Sequence, residues 1–508
     1  MEQSNIAKLI SNYGGKVWSI VSAFIFIPLY LSFLGNENYG LIGFYSLLLG
    51  VINFADSGIS SAVIKELSQN TTSHYKYSVF RNLEKLYILI CFTICLVIFF
   101  SSEFISSRWI SAKEISNEKL VYYVKLIGVG VTTQLISSLY FGALFALNKQ
   151  VKSNLMQIAW SFFKSAVVFL LFILFSKTIE LYFIWQIICN LTYVLILRYF
   201  TIKELKKKTD DGKLNLLFKK LPLHVSKYIG GMVVIAVISA INIQADKLVT
   251  SSMFDLVTFG FYNIASNLAQ IPVILAAPLM AFAFPLLTRY SNFEEQGNKD
   301  KSLVVFNKVF YLIVLIVISV SSGIFLYVDE ILLLWTRQSI PSEIFAAISF
   351  DARALIIGSF FLAIQFPLFY LLLAKGKTRY TIFQGIIQVI IGVPLLYFFS
   401  KAYGLYGIPL LWIIINVGSF IYLFIIVSKQ YLNFSNYTFY TQILLFPVLI
   451  TILVNLCVYF VYNYIQINFI PFAILSSLSG LVLSVMYYNK VTNKPKLAFK
   501  HLFDFPNE

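Results

Sequence analysis

Long apolar runs alternate with short polar connections along this chain. Fourteen such runs, each of about 20 residues, are centred near about 24, 52, 95, 134, 165, 190, 238, 272, 316, 361, 390, 415, 450 and 479. A run of that length crosses the hydrocarbon of a bilayer when it is helical. Lipid offers no partner to an unpaired backbone amide, so uninterrupted apolar segments predict helices; a barrel would need alternating strands, and the pattern contains none. The pattern predicts an all-α polytopic membrane protein with about fourteen transmembrane helices.

Composition supports that class. Of 508 residues, 59% are hydrophobic and 12% charged, whereas soluble chains carry about 25% charge. The four cysteines (Cys91, Cys95, Cys189, Cys457) all fall in apolar stretches and read as small hydrophobes rather than a disulfide framework. A net charge of +16 would suggest nucleic acid in a soluble protein, but here the basic residues lie mostly between the runs. With fourteen spans, the even-numbered connections share one side with both termini. That side holds 28 of the 39 Lys and Arg, the other side holds six, and five lie in or beside spans. The asymmetry predicts cytoplasmic termini, and no nucleic-acid partner is expected. Met1 to Lys8 is polar and the first run is too long for a signal-peptide core, so no cleaved signal is expected.

The longest connection, about 200 to 224, carries Lys203, Lys206, Lys207, Lys208, Lys213, Lys219 and Lys220. It reads as an anchor near anionic lipid headgroups and as a boundary. The expected organisation is an N-lobe over 1–201, a basic linker over 202–223, a C-lobe over 224–428, and two further spans with a tail over 429–508. Tyr39-Gly40 with Ser46 resembles Phe259-Gly260 with Ser266 at an offset of 220, and Gln157 and Trp185 match Gln384 and Trp412 at 227. Spans one and seven start on the same side, so a repeat would be parallel, as in transporters whose pathway lies between two lobes.

Charge inside a span costs at least about 2.5 kcal/mol near the bilayer centre, which directs attention to the few such residues. Lys16, Lys125, Lys164, Lys247 and Arg353 are the cations, and Asp56, Asp246 and Asp351 the acids. Lys164, in the middle of span five, reaches neither interface easily and is the leading candidate for a cavity cation, with a structural ion pair as the alternative. Asp56 lies well inside span two and needs a cation, a proton or water. Lys16 is close enough to the start of span one to snorkel. Asp246 and Lys247 are adjacent and point about 100° apart on a helix, so they are not automatically a pair. Arg353 has Asp351 close by in sequence, which makes a local pair as reasonable as a substrate contact. Lys125 reads as an anchor. Pro272, Pro278 and Pro285 in span eight predict bends. His74, His224 and His501 are far apart, no metal-ligand spacing or phosphate loop occurs, and no cofactor is expected. Transport would draw on a H+ or Na+ gradient, the membrane potential or the substrate gradient.

The segment from Ile27 to Leu41 (Ile27-Pro-Leu-Tyr-Leu-Ser-Phe-Leu-Gly-Asn-Glu-Asn-Tyr-Gly-Leu), followed by Asp56-Ser-Gly-Ile and a basic stretch, resembles the start of Wzx-type O-antigen flippases of the MOP superfamily. Ala245-Asp-Lys-Leu resembles the same group. The resemblance implies two six-helix lobes in a MATE-like, V-shaped arrangement around a cationic cavity, plus two extra C-terminal helices. It also implies residence in the bacterial inner membrane and transfer of an undecaprenyl-pyrophosphate-linked oligosaccharide between leaflets. Implied partners are that lipid-linked substrate, membrane lipids, and a polysaccharide polymerase with its chain-length regulator. Lys16, Asp56, Lys164, Asp246 and Arg353 are the cavity candidates by position. The offset of 220 places Ala276 opposite Asp56, so no symmetric carboxylate pair is expected. Two other readings compete: a MATE-type drug or cation antiporter, which would favour a cavity dominated by acids, and a membrane polymerase or glycosyltransferase, which would need a large outer loop or a soluble domain.

Overall fold

The computed structural model describes residues 24–69, 71–206, 223–294, 299–432, 444–465 and 468–478, with Trp18, Val21, Ser22 and Val482. Lys16 and most of the basic linker lie outside the described residues. The first helices are α1 (Phe24–Leu34), α2 (Asn36–Ser68), α3 (Ser73–Phe104), α4 (Asn117–Ala146), α5 (Gln150–Leu174), α6 (Ile179–Lys206) and α7 (Leu223–Met253). There follow α8 (Leu256–Ala269), α9 (Ile271–Glu294), α10 (Lys299–Leu326), α11 (Val328–Trp335), α12 (Ser342–Ile364) and α13 (Phe366–Ala374). The last are α14 (Thr378–Ile387), α15 (Val393–Tyr403), α16 (Gly407–Val427) and α17 (Phe446–Ile465), then α18 (Phe469–Leu478). Among the described residues there is no strand beyond one isolated bridge, Ser111 with Asp255.

A helix stands at or beside each of the fourteen expected spans. The eighth is α8 with α9, the tenth α12 with α13, and the eleventh α14 with α15. Among the described residues, nine helical stretches are long and apolar enough to cross a membrane, or ten if the two parts of α2, bent by 51°, form one span. One of the nine, 378–431, is a hairpin and holds two crossings. Gly404, at φ +61°, makes the reversal, a backbone region open to glycine and costly for a residue with a Cβ. At the other end of the chain, α1 and α2 are separated by Gly35 alone, at φ +83°. Between α14 and α15 the helix widens into a π turn at Gln388–Gly392 just before Pro394, which has no N–H to donate to the ladder. The Gln388 amide donates to Ser419 Oγ at 2.5 Å and ties this stretch to α16.

Packing divides the chain into two compact units, Met1–Phe261 and Tyr262–Glu508. In the first, Ile59 and Val63 of α2, Phe80 and Tyr87 of α3, Leu135 and Leu139 of α4, and Tyr193 and Leu197 of α6 form a buried cluster. Helix α7 packs along α2 in this unit. The second unit is built on α10, whose Phe310, Ile313, Val314 and Val317 are buried and which packs on α9, α12 and α13. Here α17 and α18 dock on α10: Asn455 donates to Ser322 Oγ at 2.5 Å, and Tyr327 is ringed by Tyr459, Tyr462 and Phe469. In lipid, which is as apolar as leucine, such polar clasps and close packing hold helices together where hydrophobicity does not. The outward face of α3, with Phe92, Val97, Phe100 and Phe104 exposed, is what a lipid-facing helix shows.

Candidate functional site

Within the first unit, α4 carries two polar side chains one turn apart, Gln134 and Ser138, about 6 Å along the helix axis. Each receives one of the charges expected from the sequence. Lys164 of α5 donates from Nζ to Gln134 Oε1 at 2.7 Å. Asp56, in the bend of α2 and 7% exposed, accepts from Ser138 Oγ at 2.5 Å and Ser60 Oγ at 2.7 Å. Tyr87 Oη lies 3.0 Å from the same Ser138 hydroxyl. The two charges therefore share one face of α4 without forming an ion pair with each other.

The Lys164 end is the more elaborate. Tyr45 of α2 also donates to Gln134 Oε1, at 2.9 Å. Asn190 of α6 donates to Tyr45 Oη at 3.3 Å and to the Gly130 carbonyl at 3.0 Å. One carbonyl oxygen thus gathers α2, α4 and α5, and Asn190 adds α6. The ammonium also stands 4.8 Å from the Trp160 ring and 5.4 Å from that of Tyr45, distances at which a ring face attracts a cation. Trp160 is itself stacked on Tyr193 at 4.8 Å. Among the described residues no carboxylate lies within ion-pair distance of Lys164. Its ammonium is held by a neutral carbonyl and ring faces.

Near one end of the same unit, Glu84 of α3, 2% exposed, accepts from Arg198 of α6 at 2.9 Å, from Tyr140 of α4 at 2.7 Å, and from Arg81. At the opposite end three connections interlock. Glu37 accepts the backbone N–H of Glu114 at 2.9 Å and that of Lys113. Lys113 Nζ meets Asp255 Oδ2 at 2.6 Å, Trp109 donates to Ser251 at 3.0 Å, and Leu256 N–H donates to the Ser111 carbonyl at 3.0 Å. Asp255 raises Lys113 above the ordinary lysine value. For Asp255 burial pushes upward, but the Lys113 and Thr258 hydrogen bonds outweigh it and hold the carboxyl below the usual range. The two glycines related by the offset of 220 meet in this interlock: a Cβ on Gly260 would stand 3.2 Å from Gly40 Cα, and one on Gly40 would collide with the Leu256 carbonyl.

Asp246 is buried in α7, beside the helix that carries Asp56 rather than within the Lys164 cluster. Arg353, in the second unit, does not turn to Asp351. It forms a forked pair with Asp329 of α11, Nη2 to Oδ2 at 2.9 Å and Nη1 to Oδ1 at 3.1 Å, with Ser349 alongside. Residues 351 and 353 project about 200° apart on one helix, whereas α11 folds back onto α12 and brings Asp329 within reach. Burial works upward on Asp329, yet the Arg353 and Ser349 hydrogen bonds prevail and keep it below the usual carboxylate range. Asp351 itself is fully buried, with no hydrogen-bond partner for either oxygen among the described residues.

Counting charges overlooks Tyr45, Gln134 and Asn190, and the sequence pattern does not single out Glu84 among the intramembrane acids. Gln134 and Asn190 each interrupt an apolar run, and a neutral amide at membrane depth is a signal in its own right, because it needs partners from neighbouring helices.

Comparison with known proteins places this geometry in context. The profile of the family described as polysaccharide biosynthesis protein matches residues 6–291. A putative O-antigen transporter of Shigella flexneri is 23% identical over 384 residues, covering 75% of this chain and 87% of that protein. Among solved structures, the lipid II flippase MurJ in an inward closed conformation superposes with a TM-score of 0.69 at 16% identity, over 96% of this chain and all of that one. An inward-facing MATE multidrug resistance transporter of the MOP superfamily superposes at 0.63 with 14% identity, over 83% of this chain and 96% of that one. These likenesses show that the chain shares the fold of those two structures.

Proposed function

We propose a flippase function for this chain, which belongs to the polysaccharide biosynthesis protein family. Its cargo is an undecaprenyl-pyrophosphate-linked oligosaccharide repeat unit, moved from the inner to the outer leaflet of the bacterial inner membrane for O-antigen or related surface polysaccharide. The names borne by the Shigella relative and by MurJ support the class of activity, a transporter rather than an enzyme. The observation that carries the reading is Lys164, an intramembrane ammonium held by the Gln134 carbonyl and two ring faces with no described carboxylate in reach. A pyrophosphate loses hydration on leaving the headgroup region, and a cation in that environment offsets part of the cost.

The remaining steps follow from the charges. An inside-negative potential favours outward movement of an anion by about 2.3 kcal/mol per charge per 100 mV, so no cofactor is required. Aromatic side chains beside Lys164, Trp160 and Tyr45 among them, suit sugar contact. With both termini cytoplasmic, the end of the first unit bearing Glu37, Lys113 and Asp255 faces outward, and the interlock there must part for cargo to leave. Polysaccharide polymerase and chain-length regulator act on the product and are its expected neighbours. Asp56, a buried acid held only by hydroxyls, is what a cation-exporting MATE-type antiporter would need, and makes that the second reading.

Deletion of the gene, complemented with wild type, Lys164→Ala or Asp56→Ala, separates the two. The flippase reading expects lipid-linked oligosaccharide to accumulate on the cytoplasmic leaflet with Lys164→Ala while the protein still inserts. Normal surface polymer from Lys164→Ala, together with loss of drug resistance from Asp56→Ala, would overturn it in favour of the antiporter.

A further inference from the structure

At the membrane edge of the second unit, the turn between α13 and α14 brings three cations together within five residues: Lys375, Lys377 and Arg379. The turn joins the ends of two candidate spans, at Ala374 and Thr378, and the end of a third supplies Gln430 and Tyr431. Its position at headgroup level follows from the spans themselves. Lys375 Nζ lies 4.6 Å from the Tyr431 ring, and the Arg379 guanidinium 4.7 Å from that of Tyr380. Tyr380 Oη accepts from Arg379 Nη2 at 2.7 Å and from Gln430 Nε2 at 2.9 Å.

With its oxygen accepting twice, the Tyr380 hydroxyl has its own proton left to donate outward. The corner therefore presents the Lys377 and Arg379 cations and a phenol proton as donors, with the charge of Lys375 beside them. Among the described residues, neither Lys377 nor Arg379 has a carboxylate within ion-pair distance, and both are exposed. The equivalent turn of the first unit, between α4 and α5, is different. There Lys149 is matched by Glu204 at 3.6 Å, nearby Arg198 is matched by Glu84, and Lys152 lies over Phe200 at 3.3 Å. Basic residues serving only to orient the chain would need no oriented phenol and no difference in neutralisation between the two turns.

We propose that the corner formed by Lys375, Lys377, Arg379, Tyr380, Gln430 and Tyr431 is a binding site for the phosphate headgroup of an anionic phospholipid. A phosphodiester offers oxygen acceptors and one negative charge, and guanidinium, ammonium and phenol donors complement it. The bound lipid pins the turn between two spans to the headgroup layer. This site is separate from the Lys164 cluster and stands without the flippase reading.

The test is native mass spectrometry of the full-length protein in mixed phosphatidylglycerol and phosphatidylethanolamine, with no polyprenyl-linked cargo present. Wild type retains phosphatidylglycerol preferentially. Each basic residue near an anionic headgroup contributes roughly fivefold, so Lys377→Gln with Arg379→Gln lowers retention about 25-fold. Tyr380→Phe, which keeps every charge, lowers it roughly two- to fivefold through the lost hydrogen bond. Lys149→Gln with Lys152→Gln leaves it unchanged. Equal retention of both lipids by wild type, an equal loss from the Lys149 and Lys152 variant, or no effect of Tyr380→Phe would each overturn the proposal. All of these side chains are at least partly solvent-accessible, and unchanged helicity and elution of the variants exclude misfolding as the cause of a loss.

Discussion

The interiors of the two units solve the same packing problem with different chemistry. In the first, the space among α2, α4, α5 and α6 holds Tyr45, Asp56, Gln134, Lys164 and Asn190, joined by hydrogen bonds. At the repeat offsets of 220 and 227 the second unit has Ala276 for Asp56, Phe361 for Gln134 and Ile391 for Lys164. Ala276 is part of an apolar cluster with Phe310 and Leu368, Phe361 packs on Phe420 at 5.8 Å, and Ile391 is exposed on the surface. A polar interior in lipid is expensive and is kept where it is used. The core of the second unit is filled mainly by interdigitated apolar side chains and is pinned by separate clasps such as Asn455 on Ser322. The connected polar network around Lys164 and Asp56 belongs to the first unit.

That contrast can be broken by exchange. The largest expected effect is on transport: Lys164→Ala abolishes surface polysaccharide, whereas Ile391→Ala leaves it near wild type, measured by lipid-linked oligosaccharide in each leaflet. Equal effects would mean that the units do not divide the work. On stability the order reverses. Phe310→Ala empties a fully buried position and should cost about 3 kcal/mol by cavity formation, visible as a lower unfolding temperature in detergent. Smaller is Glu84→Gln in the first unit. It leaves Arg81 and Arg198 without their carboxylate, but both arginines are partly exposed, so a loss of about 2 kcal/mol is expected rather than the 3–5 of a fully buried pair.

Smallest is the response to pH at the Lys113–Asp255 pair. Asp255, held below its ordinary value, adds stability that is present above about pH 3.9 and is lost as pH falls through its folded-state value. Lys113, held above its own, adds stability present below about pH 10.4 and lost as pH rises through its folded-state value. The pair is thus constant between the two. The protection factors of the Lys113 and Glu114 amides against hydrogen exchange should be the same from pH 5 to 9, and lower when Glu37→Gln removes the charged acceptor for those amides.

Two of the residues singled out by charge show how far a sequence carries. Lys164 and Asp56 stand out because each interrupts an apolar run, and both belong to the polar interior of one unit. Arg353 stands out for the same reason, yet its partner is Asp329, 24 positions back on another helix, not the nearby Asp351. Gln134 passes unnoticed in a tally of charges although it organises the cluster. The Gly40 and Gly260 match, two short words at a distance of 220, gains meaning from the direct approach of their backbones.

Long apolar runs are enough to assign the class of this protein and its helices, because a bilayer imposes a simple local rule: a spanning segment must be long, apolar and internally hydrogen-bonded. The family is legible only as a resemblance of short motifs such as Ile27 to Leu41. What each buried charge touches is set by the fold. The state of an ammonium or carboxylate in lipid depends on which atoms stand within about 3 Å. For Lys164 that atom is a carbonyl oxygen 30 residues away, and for Asp56 it is a hydroxyl 82 residues away.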